Sequence, residues 1–317
     1  MHPVEITPWH WIVFIAGVFF FLALDLGVFH RRPRVVKFRE AAAWSALWVA
    51  LTLAFALAMV WWSGRGDAEA FTTGYVIELS LSLDNILVIA LIFAWFRVAA
   101  EFQHRLLFWG ILGALVMRGA MIGVGAALIR QFDWVLYVFG AFLIFAGAKM
   151  FLSRQAMIRP EKNFVLRLAR RLFPIAPDFY GQKFLSRFNG RLALTPLALV
   201  LLLVETTDLI FAVDSVPAVF SVTRKAFIVF TSNVFAIIGL RSMYFLLAGA
   251  LDYFRYLKIG LSVVLVFIGG KMLLAPHGRA PKWFQMEIPT TTSLLVVAAV
   301  LLISIFFSVT AVRREKK

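Results

Sequence analysis

The sequence predicts an all-α, polytopic membrane protein of about nine spans, and three observations carry that expectation. Of 317 residues, 62% are hydrophobic and only 15% are charged, where soluble domains run near one half and one quarter. Aromatic side chains abound, with 33 Phe and 10 Trp, more apolar bulk than the interior of a soluble fold of this size can hide. Apolar stretches of about 20 residues, the length that crosses a bilayer core, recur along the whole chain. Backbone polar groups cannot stay unpaired in lipid, so these stretches must be helices. Runs such as Trp11–Leu24 and Leu294–Phe307 lack the alternation of a membrane β-strand.

The spans read as 9–29, 41–63, 71–96, 106–129, 134–152, 193–220, 226–250, 257–275 and 289–312. The first has no basic leader, is too long for a signal peptide and contains Asp25, so it is expected to remain in the protein. With the N-terminus outside and the C-terminus inside, 23 of the 32 Lys and Arg fall on inner segments and 6 on outer ones, the bias that cytoplasmic loops carry. Arg118, Arg241 and Lys271 fall within spans. The net charge of +15 is thereby a topology signal and an attraction for anionic inner-leaflet lipid, not a nucleic-acid footprint. With no Cys there is no disulfide framework and no thiolate metal site. Lys149 and Lys271, near span ends, are expected to snorkel toward headgroups. The long inner connection 153–192 contains Lys162–Phe173, KNFVLRLARRLF. Phe164, Leu168 and Leu172 lie four apart with Arg167, Arg170 and Arg171 between them, the pattern of a basic helix on a membrane surface.

Two stretches resemble each other. Glu78-Leu-Ser-Leu-Ser-Leu-Asp84-Asn85 and Asp208-Leu-Ile-Phe-Ala-Val-Asp214-Ser215 share the order acid, five residues, Asp, small polar residue. GALVMRGAM around Arg118 then matches GLRSMYF around Arg241, and GAFLIFAGAKM ending at Met150 matches SVVLVFIGGKM ending at Met272. Three helices repeated once reverse their orientation, which makes spans 3–5 and 6–8 an inverted repeat. That design belongs to secondary transporters, whose site lies near the midplane between the repeats. The chain then divides into 1–40 (first span and basic inner loop), 41–70 (second span and outer loop), 71–152 (first repeat), 153–192 (basic cytoplasmic loop), 193–275 (second repeat) and 276–317 (outer loop, last span and basic tail).

Asp25, Glu78, Asp84, Glu205, Asp208 and Asp214 lie within spans, where an ionised Asp costs roughly 3 kcal/mol or more at a helix centre. Five of the six fall on the two repeated helices, a clustering that packing does not explain. Glu205 and Asp208 are i,i+3 and share a helix face. Glu78 and Asp84 are about 9 Å and about 240° apart on an unbroken helix. They are therefore expected to converge only through a bent or unwound helix, or through an axis bringing Asp84 to Asp214. Pro217 suggests such a break in the second unit. All five His are expected at chain ends or in loops. The membrane interior thus offers carboxylates, the Asn85 amide and the hydroxyls of Thr206, Thr207 and Ser215. Hard oxygen donors suit Mg²⁺, Ca²⁺ or Mn²⁺ rather than Zn²⁺ or Cu²⁺, and protons compete for the same carboxylates. Arg118 and Arg241 are candidate counter-ions to these acids.

The motifs ELSLSLDN (78–85) and VETTDLIFAVDSVPAVF (204–220), with TSNVFAIIGLRSMYFLLAG (231–249) and the GGKM ending, resemble the signature of the TerC family of bacterial integral membrane proteins. The likeness runs from Ala41 to Leu274 and is strongest to the Alx-type branch, with nine spans and a basic central loop. It implies manganese-exporter-like activity in the bacterial cytoplasmic (inner) membrane, with Glu78, Asp84, Glu205, Asp208 and Asp214 as the metal path and Mn²⁺ as the transported ion. No permanently bound cofactor and no enzymatic activity are expected. Exchange against protons is an accompanying expectation. The alternative is a membrane scaffold that recruits stress-response or insertion partners without transport. An intramembrane hydrolase is disfavoured, because the interior has no His, no Gly-x-Gly-Asp motif and no nucleophile elbow.

Overall fold

The structure, a computed structural model, describes residues 6–24, 38–152, 163–178, 180–181, 183–188, 190–247, 256–276 and 285–315. Apolar stretches long enough to cross a bilayer fold as helices because only an intrahelical ladder satisfies their backbone there. The helices are α1 (Pro8–Leu24), α2 (Phe38–Trp62), α3 (Arg65–Trp95), α4 (Ala100–Gln131), α5 (Val135–Leu152), α6 (Phe164–Leu172), α7 (Pro196–Phe220), α8 (Ala226–Leu247), α9 (Leu257–Leu274) and α10 (Thr290–Glu315), with a hairpin, β1 (Leu185–Phe188) and β2 (Arg191–Leu194), before α7. Among the described residues, eight helices are long and apolar enough to span a membrane, and α1 is a shorter apolar one. The protein is therefore a nearly all-helical, polytopic membrane protein.

The boundaries differ from the sequence expectation where local chemistry overrides hydropathy. α3 and α4 start about one to two turns early, because charged and polar residues such as Arg65 and Gln103 extend a helix as readily as apolar ones. The span expected from 193 instead starts at Pro196, because 191–194 pair with 185–188 in an antiparallel hairpin. Gly190 takes φ +75° in its turn, a conformation that glycine adopts without steric cost. Thr195 then caps α7, its Oγ1 accepting from Ala198 N at 3.3 Å, and proline at the first helical position suits the start. The expected break at Pro217 is absent. α7 runs through it to Phe220, and α3 is equally unbroken. Pro217 removes one amide donor, but the helix ends three residues later, so the lost bond does not split it.

Burial separates an inner bundle from an outer rim. In α8, 67% of the apolar window is buried, against 17% in α2 and in α10. Inside, α3 packs on α8 and α7, α4 on α7 and α8, and α5 on α9. α5 and α9 cross antiparallel at glycines. A Cβ at Gly140 would meet the Gly269 carbonyl at 3.0 Å, and one at Gly147 would meet the Ser262 carbonyl at 2.8 Å. Around this, α2 lies on α3 and α8, and α10 on α3 and α9. α1 docks through aromatic contacts, Trp11 on Phe227 and Phe14 on Phe55 and Phe235. Trp9, Trp61 and Trp134 remain exposed, as side chains at a membrane boundary would.

Candidate functional site

At the centre of the inner bundle lies a buried polar cluster around one arginine, and its composition follows from helical spacing. On α3, Glu78, Ser82 and Asn85 are i, i+4 and i+7 and share a face. On α7, Asp208 and Ser215 are likewise seven apart. In the repeated motif, the first acid and the last polar residue thus face the centre, while the intervening Asp is turned off that face by about 100°. The two faces meet at Arg118 of α4, which is only 2% exposed.

The guanidinium is held from several sides. Its Nη1 donates to Glu78 Oε2 at 2.5 Å, to Asn233 Oδ1 of α8 at 2.9 Å and to Ser215 Oγ at 3.2 Å. Its Nη2 and Nε bind Asp208 in a fork, at 2.9 Å to Oδ1 and 3.2 Å to Oδ2, the planar geometry that suits Arg and not Lys. Asn233 Nδ2 donates to the other Glu78 oxygen at 2.8 Å, and Asn85 Nδ2 to Asp208 Oδ1 at 3.3 Å. Glu78 is fully buried. Two carboxylates from different helices against one cation leave the cluster a negative charge in excess.

Glu205 lies one turn from Asp208 on α7, against α4 at Gly113, where a Cβ would collide with its carboxylate. Three buried oxygens here have no hydrogen-bond partner among the described residues: Glu205 Oε2, Asn85 Oδ1 and Ser82 Oγ. Such orphans are costly and call for an explanation such as water or an ion.

The structure thus gathers Glu78, Asn85, Arg118, Asp208 and Ser215, with Glu205 beside them. Asp84 and Asp214, half-buried, stay out of the clamp and have no hydrogen-bond or salt-bridge partner among the described residues. The ammonium groups of Lys258 and Lys149 lie within Coulombic reach of Asp84 and Asp214 respectively. Thr206 and Thr207 turn their hydroxyls back to the carbonyls of Leu202 and Leu203, where they satisfy their own helix. Arg241 does not join the carboxylates. It lines a narrow cleft with Glu40, Trp44, Trp48 and His104. Lys271 does not snorkel; it is buried and donates to Ser293 Oγ at 2.7 Å, because α10 covers it. Asp25 lies outside the described residues. Among the described residues no three acidic or His side chains converge tightly enough to enclose a metal ion; in this arrangement Arg118 stands between Glu78 and Asp208.

Sequence reasoning missed Asn233 and Gly113. The signal for Asn233 was present, since an amide inside an apolar span requires partners as a carboxylate does. Nothing local marks Gly113, whose role depends on which side chain packs against it.

The model of the integral membrane protein TerC family matches residues 63–317. An uncharacterized membrane protein of Myxococcus xanthus is 52% identical over 303 residues, covering 95% of this chain and 92% of its own length. Alx of Escherichia coli (strain K12), named as a proposed membrane-bound redox modulator, is 46% identical over 307 residues, covering 94% and 93%. An uncharacterized membrane protein of Rickettsia bellii is 36% identical over 299 residues, covering 94% and 96%. No solved structure matches.

Proposed function

The chain belongs to the TerC family of integral membrane proteins, and on that premise we propose that it is a secondary transporter that exports a divalent cation, Mn²⁺ foremost, across the bacterial cytoplasmic membrane. The carrying observation is the pairing of Glu78 and Asp208, from separate helices, around a cationic group at the packed centre. The orphaned oxygens of Ser82, Asn85 and Glu205 add to this. Carboxylate, amide and hydroxyl oxygens form the donor set that hard divalent cations prefer. Asp84 and Asp214, each within reach of a lysine, are read as further stations of the path. The ion is cargo, and the reading assigns the chain no resident cofactor and no enzymatic reaction.

The inverted repeat supports alternating access. Exchanging α3–α5 with α7–α9 turns the α3–α8 packing into that of α7 on α4, and the Gly140–Gly269 crossing into that of Ser262 and Gly147. The same exchange relates the Asn85–Asp208 pair to the Ser215–Glu78 pair, and Arg118 bridges the latter. Rocking of one unit against the other would expose the site to each side in turn. On this reading the N-terminus is outside and α6 lies on the inner surface, with Phe164, Leu168 and Leu172 exposed toward lipid and Arg167, Arg170 and Arg171 toward anionic headgroups. The redox wording attached to Alx fits indirectly. This chain has no Cys for thiol chemistry, whereas moving a redox-active cation would alter redox balance.

The test is Mn²⁺ flux in proteoliposomes, with and without a pH gradient, for the wild type, Glu78→Gln and Asp208→Asn. Flux that the substitutions abolish is the expected result. A wild type that moves no divalent cation, or substituted proteins that move it equally well, rejects the transporter and favours the scaffold. Flux indifferent to the gradient rejects proton exchange alone.

A further inference from the structure

Five oxygen contacts surround the Arg118 guanidinium: Glu78 Oε2, both Asp208 oxygens, Ser215 Oγ and Asn233 Oδ1. They come from three helices, α3, α7 and α8, and the arginine arrives from a fourth. This approaches the oxygen shell of a hard divalent cation, yet its centre is filled by a side chain of the protein. We infer that Arg118 is a tethered stand-in for the transported ion, and that by competing for the seat it makes the site select divalent over monovalent cations. The inference rests on the transporter reading and deepens it.

Charge and tethering carry the argument. A tethered group competes at an effective concentration of roughly millimolar or more, here in a fixed fork that needs no reorganisation. A monovalent ion brings the same single charge, so displacing the guanidinium gains it no Coulomb energy. A divalent ion doubles the attraction to the same two carboxylates, in a buried setting where that attraction is strong. The displaced guanidinium has a nearby acceptor, because Glu205, one turn along α7, keeps one buried oxygen without a partner. When the cargo leaves, Arg118 re-enters, so the empty carrier never returns with two bare carboxylates in the bilayer. Arg241 shares none of these contacts and serves as the internal control.

The experiment is equilibrium binding of radioactive Mn²⁺ to purified full-length protein at low salt, and again at physiological Na⁺ and K⁺. Wild type, Arg118→Gln and Arg241→Gln are compared. The wild type should bind Mn²⁺ with little response to Na⁺ or K⁺. Arg118→Gln should bind roughly tenfold tighter or more at low salt and should lose most of that gain when monovalent ions are added. Arg241→Gln should behave as the wild type. An Arg118→Gln protein with wild-type affinity and wild-type indifference to Na⁺ overturns the inference and leaves the transporter intact. A wild type that binds no divalent cation overturns both. Should Arg118→Gln fail to fold, a structure of the wild type with Mn²⁺ decides. The guanidinium should have left Glu78 and Asp208, and an intact clamp with Mn²⁺ seated elsewhere overturns the idea.

Discussion

Arg118 and Arg241 occupy matching places in the repeated stretches, yet the fold gives them different tasks. Arg118 meets the faces of both acidic helices and is nearly inaccessible. Arg241, half-buried on α8, turns toward α2 and the cleft holding Glu40 and His104. α2 packs against α8 and brings Glu40, an acid of its own, to that side. Two stretches of similar sequence thus supply two cations, and among the described residues it is Arg118 that pairs with the central carboxylates.

The comparison can be broken first through stability. Arg118→Ala leaves Glu78 and Asp208 buried without their partner and is expected to cost about 3–5 kcal/mol. Arg241→Ala should cost about 1 kcal/mol, the usual scale for a single substitution. Unfolding of the detergent-solubilised proteins measures both, and equal losses would mean that the two sites are equivalent after all.

Next comes ion movement. Asp208→Asn keeps the size of the side chain but removes a charge from the clamp, and Mn²⁺ flux is expected to fall by at least about tenfold, some 1.4 kcal/mol. Glu40→Gln, at the other arginine, should leave flux within about twofold.

A smaller effect is expected at Gly113. In Gly113→Ala the new methyl displaces the Glu205 carboxylate, and Mn²⁺ affinity should drop by roughly three- to tenfold, with folding lowered by about 1–2 kcal/mol, the scale of mild overpacking. Gly110→Ala, whose Cβ would meet only Val204 Cγ1 at 3.3 Å, is the control; equal effects from both would sever Glu205 from the site.

The smallest effect lies farthest from the arginines. Neutralising Arg167, Arg170 and Arg171 together should weaken the response of flux to anionic lipid, since each cation near such a surface contributes about 1 kcal/mol. Mn²⁺ affinity in detergent should not change. A lost Mn²⁺ affinity would show that α6 reaches the site.

How much was legible in advance is clearest from individual residues. Glu78, Asp208 and Glu205 stood out because ionisable groups are rare at membrane depth, and Asn85 and Ser215 followed as their motif partners. Asp84 and Asp214 stood out equally, but the continuous α3 and α7 turn them off the central face, which the expected unwinding had concealed. Asn233 was overlooked because an uncharged amide in TSNVFAIIGL draws less notice than a carboxylate. Lys271 was misjudged because its position near a span end says nothing about whether another helix covers it.

By itself the sequence determined what is local or additive: the spans, the spacing of polar residues along each helix, and the amphipathic stripe of α6. These follow from hydrogen-bond satisfaction in lipid and from a period of 3.6 residues, and neither depends on neighbours. Only the tertiary structure decided which faces meet. It chose Arg118 over Arg241 as the central cation, set Asn233 against Glu78, and let Glu205 rest on a glycine 92 positions away in the chain. Such choices rest on side-chain packing and charge pairing between helices distant in sequence, and no single helix encodes them.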